Sequence, residues 1–97
     1  MASHIRNLLR HLLKWKFQPG LRGASWELSI SNSRDAVNGI LADSPSLQPG
    51  FPALMEKMYP RARKAARIET GLPDDLFPEE CPFSADEVLS EGFQSDS

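Results

Sequence analysis

Few side chains in this sequence could carry chemistry, and none of them converge by spacing. The two histidines, His4 and His11, stand about two helical turns apart. From one straight helix they cannot share a metal ion without other ligands. Cys81 is the single cysteine, so no intrachain disulfide and no cysteine-based zinc site can form. It sits between Glu80 and Pro82, and an adjacent carboxylate raises a thiol pKa. Cys81 therefore reads as a buried structural residue rather than a nucleophile. The carboxylate pairs Asp74/Asp75 and Glu79/Glu80 lie in a stretch that implies no cleft, and read as solvated acids. No glycine-rich phosphate loop occurs. The expectation is a non-enzyme with no catalytic, cofactor-binding or metal-ligating residue.

Charge offers a second kind of chemistry. The formal net charge is only −2, yet its distribution is uneven. Arg6, Arg10, Lys14, Lys16, Arg22 and Arg34 face a single acid, Glu27, within the first 34 residues. A second basic group follows at Arg61, Arg63, Lys64 and Arg67, and no Lys or Arg comes after it. Arg6, Arg10, Lys14, Lys16, Arg61, Arg63, Lys64 and Arg67 are thus the candidate nucleic-acid contacts. The competing reading is that the acidic C-terminal part folds back over the basic helices. Within the first group, Arg6, Arg10 and Lys14 form an i, i+4, i+8 line with no acid between them, so this line is either solvated or neutralised from elsewhere.

The elements that would position these residues are helical. Ser3 is placed to cap a helix whose Ile5, Leu8, Leu9, Leu12, Leu13 and Trp15 cover one broad face. Gln18 to Gly23 breaks it. Ser25 is placed to cap a second helix running to about Ala42, with Trp26, Ile30, Val37, Ile40 and Leu41 on one face. Its interior holds Ser29, Ser31, Asn32, Ser33 and Gly39, poor helix formers, so fraying is expected there. After a break at Asp43–Pro52, with Leu47 and Phe51 tucked onto the core, a third helix starts near Pro52. Its stripe is Leu54, Met55, Met58, Tyr59, Ala62, Ala65 and Ala66, extending to Ile68. Pro60 is expected to kink or split it at Tyr59. Gly71 and Pro73 mark its end. Leu72 to Phe83 reads as a Pro-rich strap across the helices. Ser84 and Glu87 form a capping box for a short last helix ending at Gly92–Phe93.

These blocks, in this order, resemble a known family. They are His11-Leu12-Leu13-Lys14-Trp15, Gln18-Pro19, Ser25-Trp26 and Ile30; then Asp43-Ser44-Pro45-Ser46-Leu47; then Ala62-Arg63, Glu69-Thr70-Gly71-Leu72, Phe77-Pro78-Glu79-Glu80-Cys81-Pro82 and Val88-Leu89. Together they resemble the family of domain of unknown function 29, small bacterial proteins, over about Ser3 to Phe93. The resemblance implies an all-α fold and supplies no site residue to carry over. It also implies that this chain is an N-terminally shortened member, since relatives begin with a further acidic, helical segment. On that expectation the first helix lacks cover, and Leu8, Leu9, Arg10 and Leu13 form a surface for another protein chain or a second copy. Pro60 departs from the family pattern.

The expected architecture is one all-α domain over residues 1–93, with a loose tail at 94–97. It is a small bundle of three principal helices, a Pro-rich strap and a short C-terminal helix. A chain of 97 residues buries a little over about 60% of its unfolded surface, so its core is small. No apolar run is long enough to span a bilayer, and the lone cysteine fits a cytoplasmic setting. The expected function is a non-catalytic protein-interaction module, with nucleic-acid binding as the alternative and no membrane partner or cofactor.

Overall fold

A computed structural model describes residues 1–90 of the chain. It has four α-helices, α1 (Ala2–Phe17), α2 (Ala24–Asp43), α3 (Phe51–Thr70) and α4 (Ala85–Leu89). Short 3₁₀ turns at Pro19–Leu21, Pro45–Gly50 and Asp74–Leu76 join them, and there is no strand among the described residues. The all-α expectation holds.

The leucine-rich helix is the axis of the core. Ile5, Leu8, Leu9, Leu12 and Leu13 of α1 have no exposed surface. Fully burying one such side chain contributes about 1.5–3 kcal/mol. Helix α1 packs against both α2 and α3, whereas α2 and α3 scarcely touch each other. The apolar faces of Ile30, Val37 and Leu41 on α2 and of Met55, Met58, Tyr59, Ala62 and Ala66 on α3 close onto it. Helix α2 runs antiparallel to α1: the Asn7 side-chain amide donates to Ser33 Oγ at 2.6 Å, and the Lys14 ammonium lies over the Trp26 ring.

Helix α2 is held by tertiary hydrogen bonds where its own propensity is weak. Arg34 Nε donates to the Val88 carbonyl at 2.8 Å, and Asn38 Nδ2 donates to the Leu89 carbonyl at 3.1 Å. Those carbonyls belong to the last turn of α4, which has no intrahelical donors left for them. Buried Ser33 receives Asn7 from α1. Ser33, Arg34 and Asn38 thus tie the helix to α1 and α4, and it runs for 20 residues without a break.

The predicted caps fall differently at the two ends of the chain. Helices α1 and α2 start at Ala2 and Ala24, and neither has a side-chain cap bond. Ser3 and Ser25 lie inside the first turn rather than before it. Met1 and Ala2 pack against the core, so tertiary contact extends α1 past its local signal. The capping box at α4 is present in both halves: the Glu87 amide donates to Ser84 Oγ, and the Ser84 amide to Glu87 Oε1. Helix α4 ends at Leu89. The expected stop at Gly92–Phe93 and the tail at 94–97 lie outside the described residues.

Pro60 does not split α3, which continues from Phe51 to Thr70. A proline leaves the carbonyl four residues earlier without its donor. Here that residue is Glu56, which is exposed, as is Pro60, so the gap in the hydrogen-bond ladder lies on the solvent side of the helix. Buried Met55, Met58, Tyr59 and Ala62 anchor the helix on both sides. Phe51 is buried as expected, but Leu47 is 42% exposed. Its 3₁₀ turn passes over the surface instead of folding inward.

The segment after α3 is a strap pinned at several points. Phe77 and Phe83 insert into the core. The Tyr59 hydroxyl donates to the Pro78 carbonyl at 2.6 Å, and Arg63 donates twice to the Phe77 carbonyl. Phe17 meets Phe77 edge to face, with centroids 5.2 Å apart. The strap starts from Gly71, the left-handed residue closing α3 at φ 70°. An L side chain there costs about 1–2 kcal/mol. Gly71→Ala should therefore lower unfolding free energy by about that amount with helical content unchanged, measured by urea denaturation followed by circular dichroism.

Candidate interaction surface

The residues expected to face outward on α1 divide between interior and exterior. Leu8, Leu9 and Leu13 are 0% exposed, so the surface expected around Leu8, Leu9, Arg10 and Leu13 is not on the outside of this fold. The physical reason is that α2, α3 and the strap already cover that face. Arg10 is half-buried and donates to Asn7 Oδ1 within its own helix.

The basic line on α1 is neutralised from α3. Lys14 is only 8% exposed, and its Nζ lies 3.6 Å from Glu69 Oε1 and 4.7 Å from the Trp26 ring centroid. Arg10 Nε lies 3.4 Å from the other oxygen of Glu69. That nitrogen is buried and makes an ion pair without good hydrogen-bond geometry. One carboxylate from the last turn of α3 thus answers two cations of α1, while α2 supplies an aromatic face. A desolvated ammonium requires this, because an uncompensated buried charge is costly. Arg6, at the start of the line, is exposed.

His11 completes the α1 interior. Its Nδ1 donates to the Asn7 carbonyl at 2.9 Å, the only role open to it against a carbonyl oxygen. Burial pushes its pKa below the ordinary value, opposed by that hydrogen bond and reinforced by the Lys14 and Arg10 charges. Trp15, also buried, has an indole N–H with no hydrogen-bond partner among the described residues. Arg22 packs over its ring and donates to its backbone carbonyl at 2.7 Å, fixing how the chain leaves α1.

The eight candidate nucleic-acid contacts are not one surface. Lys14 and Arg10 are committed to Glu69, and Arg63 to the strap. Arg6, Lys16, Arg61 and Lys64 are exposed, and Arg67 is half-buried. Among the described residues no group of three or more His, Cys, Asp or Glu is placed to hold a metal ion. No helix among the described residues is long and apolar enough to cross a membrane.

Where strap and α3 meet, the structure forms a cleft of about 370 Å³. Met55, Tyr59, Pro60 and Phe83 supply its apolar lining, and Glu56, Glu79 and Glu80 its charges. All three glutamates are exposed, and none makes an ion pair with a described residue. Cys81 lies in this cleft and donates to the Phe83 carbonyl. Burial raises its thiol pKa, and the charges of Glu56 and Glu87 raise it further, so the thiol is held neutral. The carboxylates acting on it come from α3 and α4, not from its sequence neighbour Glu80. Tyr59 is likewise pushed up to about 12, chiefly by burial. A second cleft, about 400 Å³, lies among α2, α3 and α4 around Leu41, Phe51 and Leu89. Sequence reasoning found neither cleft. The acids of the strap were visible, but their meeting with Glu56 depends on the path of the strap.

The His11 environment has a pH signature. The folded state binds a proton there less readily than the unfolded state, so stability falls as pH drops through the free histidine value near 6.5. Denaturation at pH 8 and at about pH 5.5 should show this loss. His11→Gln should reduce the pH dependence in that window.

Among curated proteins nothing matches this chain, and no solved structure matches it either. A family described as Domain of unknown function DUF29 matches residues 1–94. With nearly its whole length matched and an all-α fold, the chain belongs to the DUF29 family.

Proposed function

We propose that this chain is a non-catalytic protein-interaction module of the bacterial cytoplasm, and that it works through α3 and the strap rather than through α1. One observation carries the reading. The cleft between α3 and the strap presents three exposed carboxylates with no partner in the described chain, beside an apolar lining. A lysine or arginine from another protein suits it: the aliphatic stem rests on Tyr59, Met55 and Phe83, and the charge meets Glu56, Glu79 or Glu80. The neutral thiol and phenol inside the cleft favour docking over nucleophilic chemistry.

Nucleic-acid binding has less support, because Lys14, Arg10 and Arg63 are used inside the fold. A titration separates cleft docking from non-specific charge. A short peptide alternating lysine and leucine should shift backbone amide resonances of Met55, Tyr59, Glu79, Glu80, Cys81 and Phe83. A glutamate and leucine peptide should not. Equal shifts with both peptides, or none with either, would sink the reading.

A further inference from the structure

Helix α3 carries opposite charges on adjoining sides. At 100° per residue, Lys57, Arg61 and Lys64 share one stripe, and all three are exposed. Glu56 and Pro60 lie next round the helix, on the lip of the cleft. The three cations make no ion pair with any described residue, and neither do Glu56, Glu79 and Glu80. Ile68 continues the basic stripe and is 62% exposed. One face of the molecule thus presents an unpaired basic stripe beside an unpaired acidic lip.

A surface of this kind is complementary to itself. We propose that the occupant of the cleft is a second copy of this chain, docked about a two-fold axis. The basic stripe of each α3 then lies over the carboxylate lip of the other. A two-fold axis pairs both sets of charges at once, which one-sided docking does not. Ile68 adds an apolar contact beside the charges. The net charge of −2 leaves little overall repulsion between copies. The inference rests on reading the cleft as a protein-docking site and names the partner.

The test uses sedimentation equilibrium of the whole chain across a concentration series, from about 50 mM to about 500 mM salt. The wild type should form a dimer that weakens as salt rises. Glu79→Lys with Glu80→Lys, or Lys57→Glu with Arg61→Glu, should each raise the dimer dissociation constant by about tenfold or more. An equal mixture of the two variants should restore association, because each then matches the other at both contacts. Circular dichroism confirms that each variant folds. A wild type that stays monomeric, a dimer indifferent to these charges, or a mixture no tighter than either variant alone would overturn the proposal. A monomer whose cleft still responds to the lysine and leucine peptide removes only the second copy as partner. A monomer whose cleft does not respond removes the docking reading as well.

Discussion

The fold depends on burying one helix on nearly all sides while it still carries a charge. Helix α1 packs extensively on both other long helices, and its leucines are completely enclosed. Lys14 lies within that enclosure. Its ammonium is tolerable because Glu69 reaches it from the end of α3 and Trp26 covers it from α2. The same carboxylate holds Arg10. The three long helices meet at this cluster, so their relative placement is coupled to one carboxylate. Apolar burial supplies most of the driving force, and the charge cluster restricts how the helices can be arranged.

This arrangement places the outward surface on α3 and the strap. Tyr59, Arg63 and Phe17 hold the strap down by its Phe77–Pro78 backbone and the Phe77 ring. With the strap fixed there, Glu79 and Glu80 meet Glu56 across the cleft. Arg34 and Asn38 similarly tie α4 to α2 through its terminal carbonyls. The acidic C-terminal part does fold back over the basic helices, as one reading of the charge pattern anticipated. Among the described residues its backbone carbonyls accept from Arg34, Asn38, Tyr59 and Arg63, while Glu69, the first acid after Arg67, pairs with Arg10 and Lys14.

Much of the fold was legible because it follows local rules. The apolar periodicity of α1 and α3, the stop at Gly71 and the Ser84–Glu87 capping box all rest on residues within a turn or two of each other. The features that were not legible depend on distant contacts. Ser3 and Ser25 looked like caps, but packing moved the helix starts ahead of them. Pro60 was expected to kink or split α3, but it lies on the exposed side and the helix continues through it. Leu8, Leu9 and Leu13 looked exposed because the family resemblance suggested missing cover, whereas the chain's own α2, α3 and strap enclose them. Glu69 had no local signal as a counter-ion. The cleft required knowing where the strap lies.

The central claim is that Lys14 is a buried charge compensated by Glu69, not part of a solvated line. A double-mutant cycle on Lys14→Met and Glu69→Gln, read by equilibrium denaturation, tests it most directly. Lys14 is buried while Glu69 is partly exposed, so Glu69→Gln alone should cost about 1–3 kcal/mol, between the values for exposed and buried pairs. Adding Lys14→Met should recover most of that loss, since methionine keeps the stem and removes the stranded charge. A Glu69→Gln variant within about 0.5 kcal/mol of wild type, or additive losses in the double variant, would contradict the account.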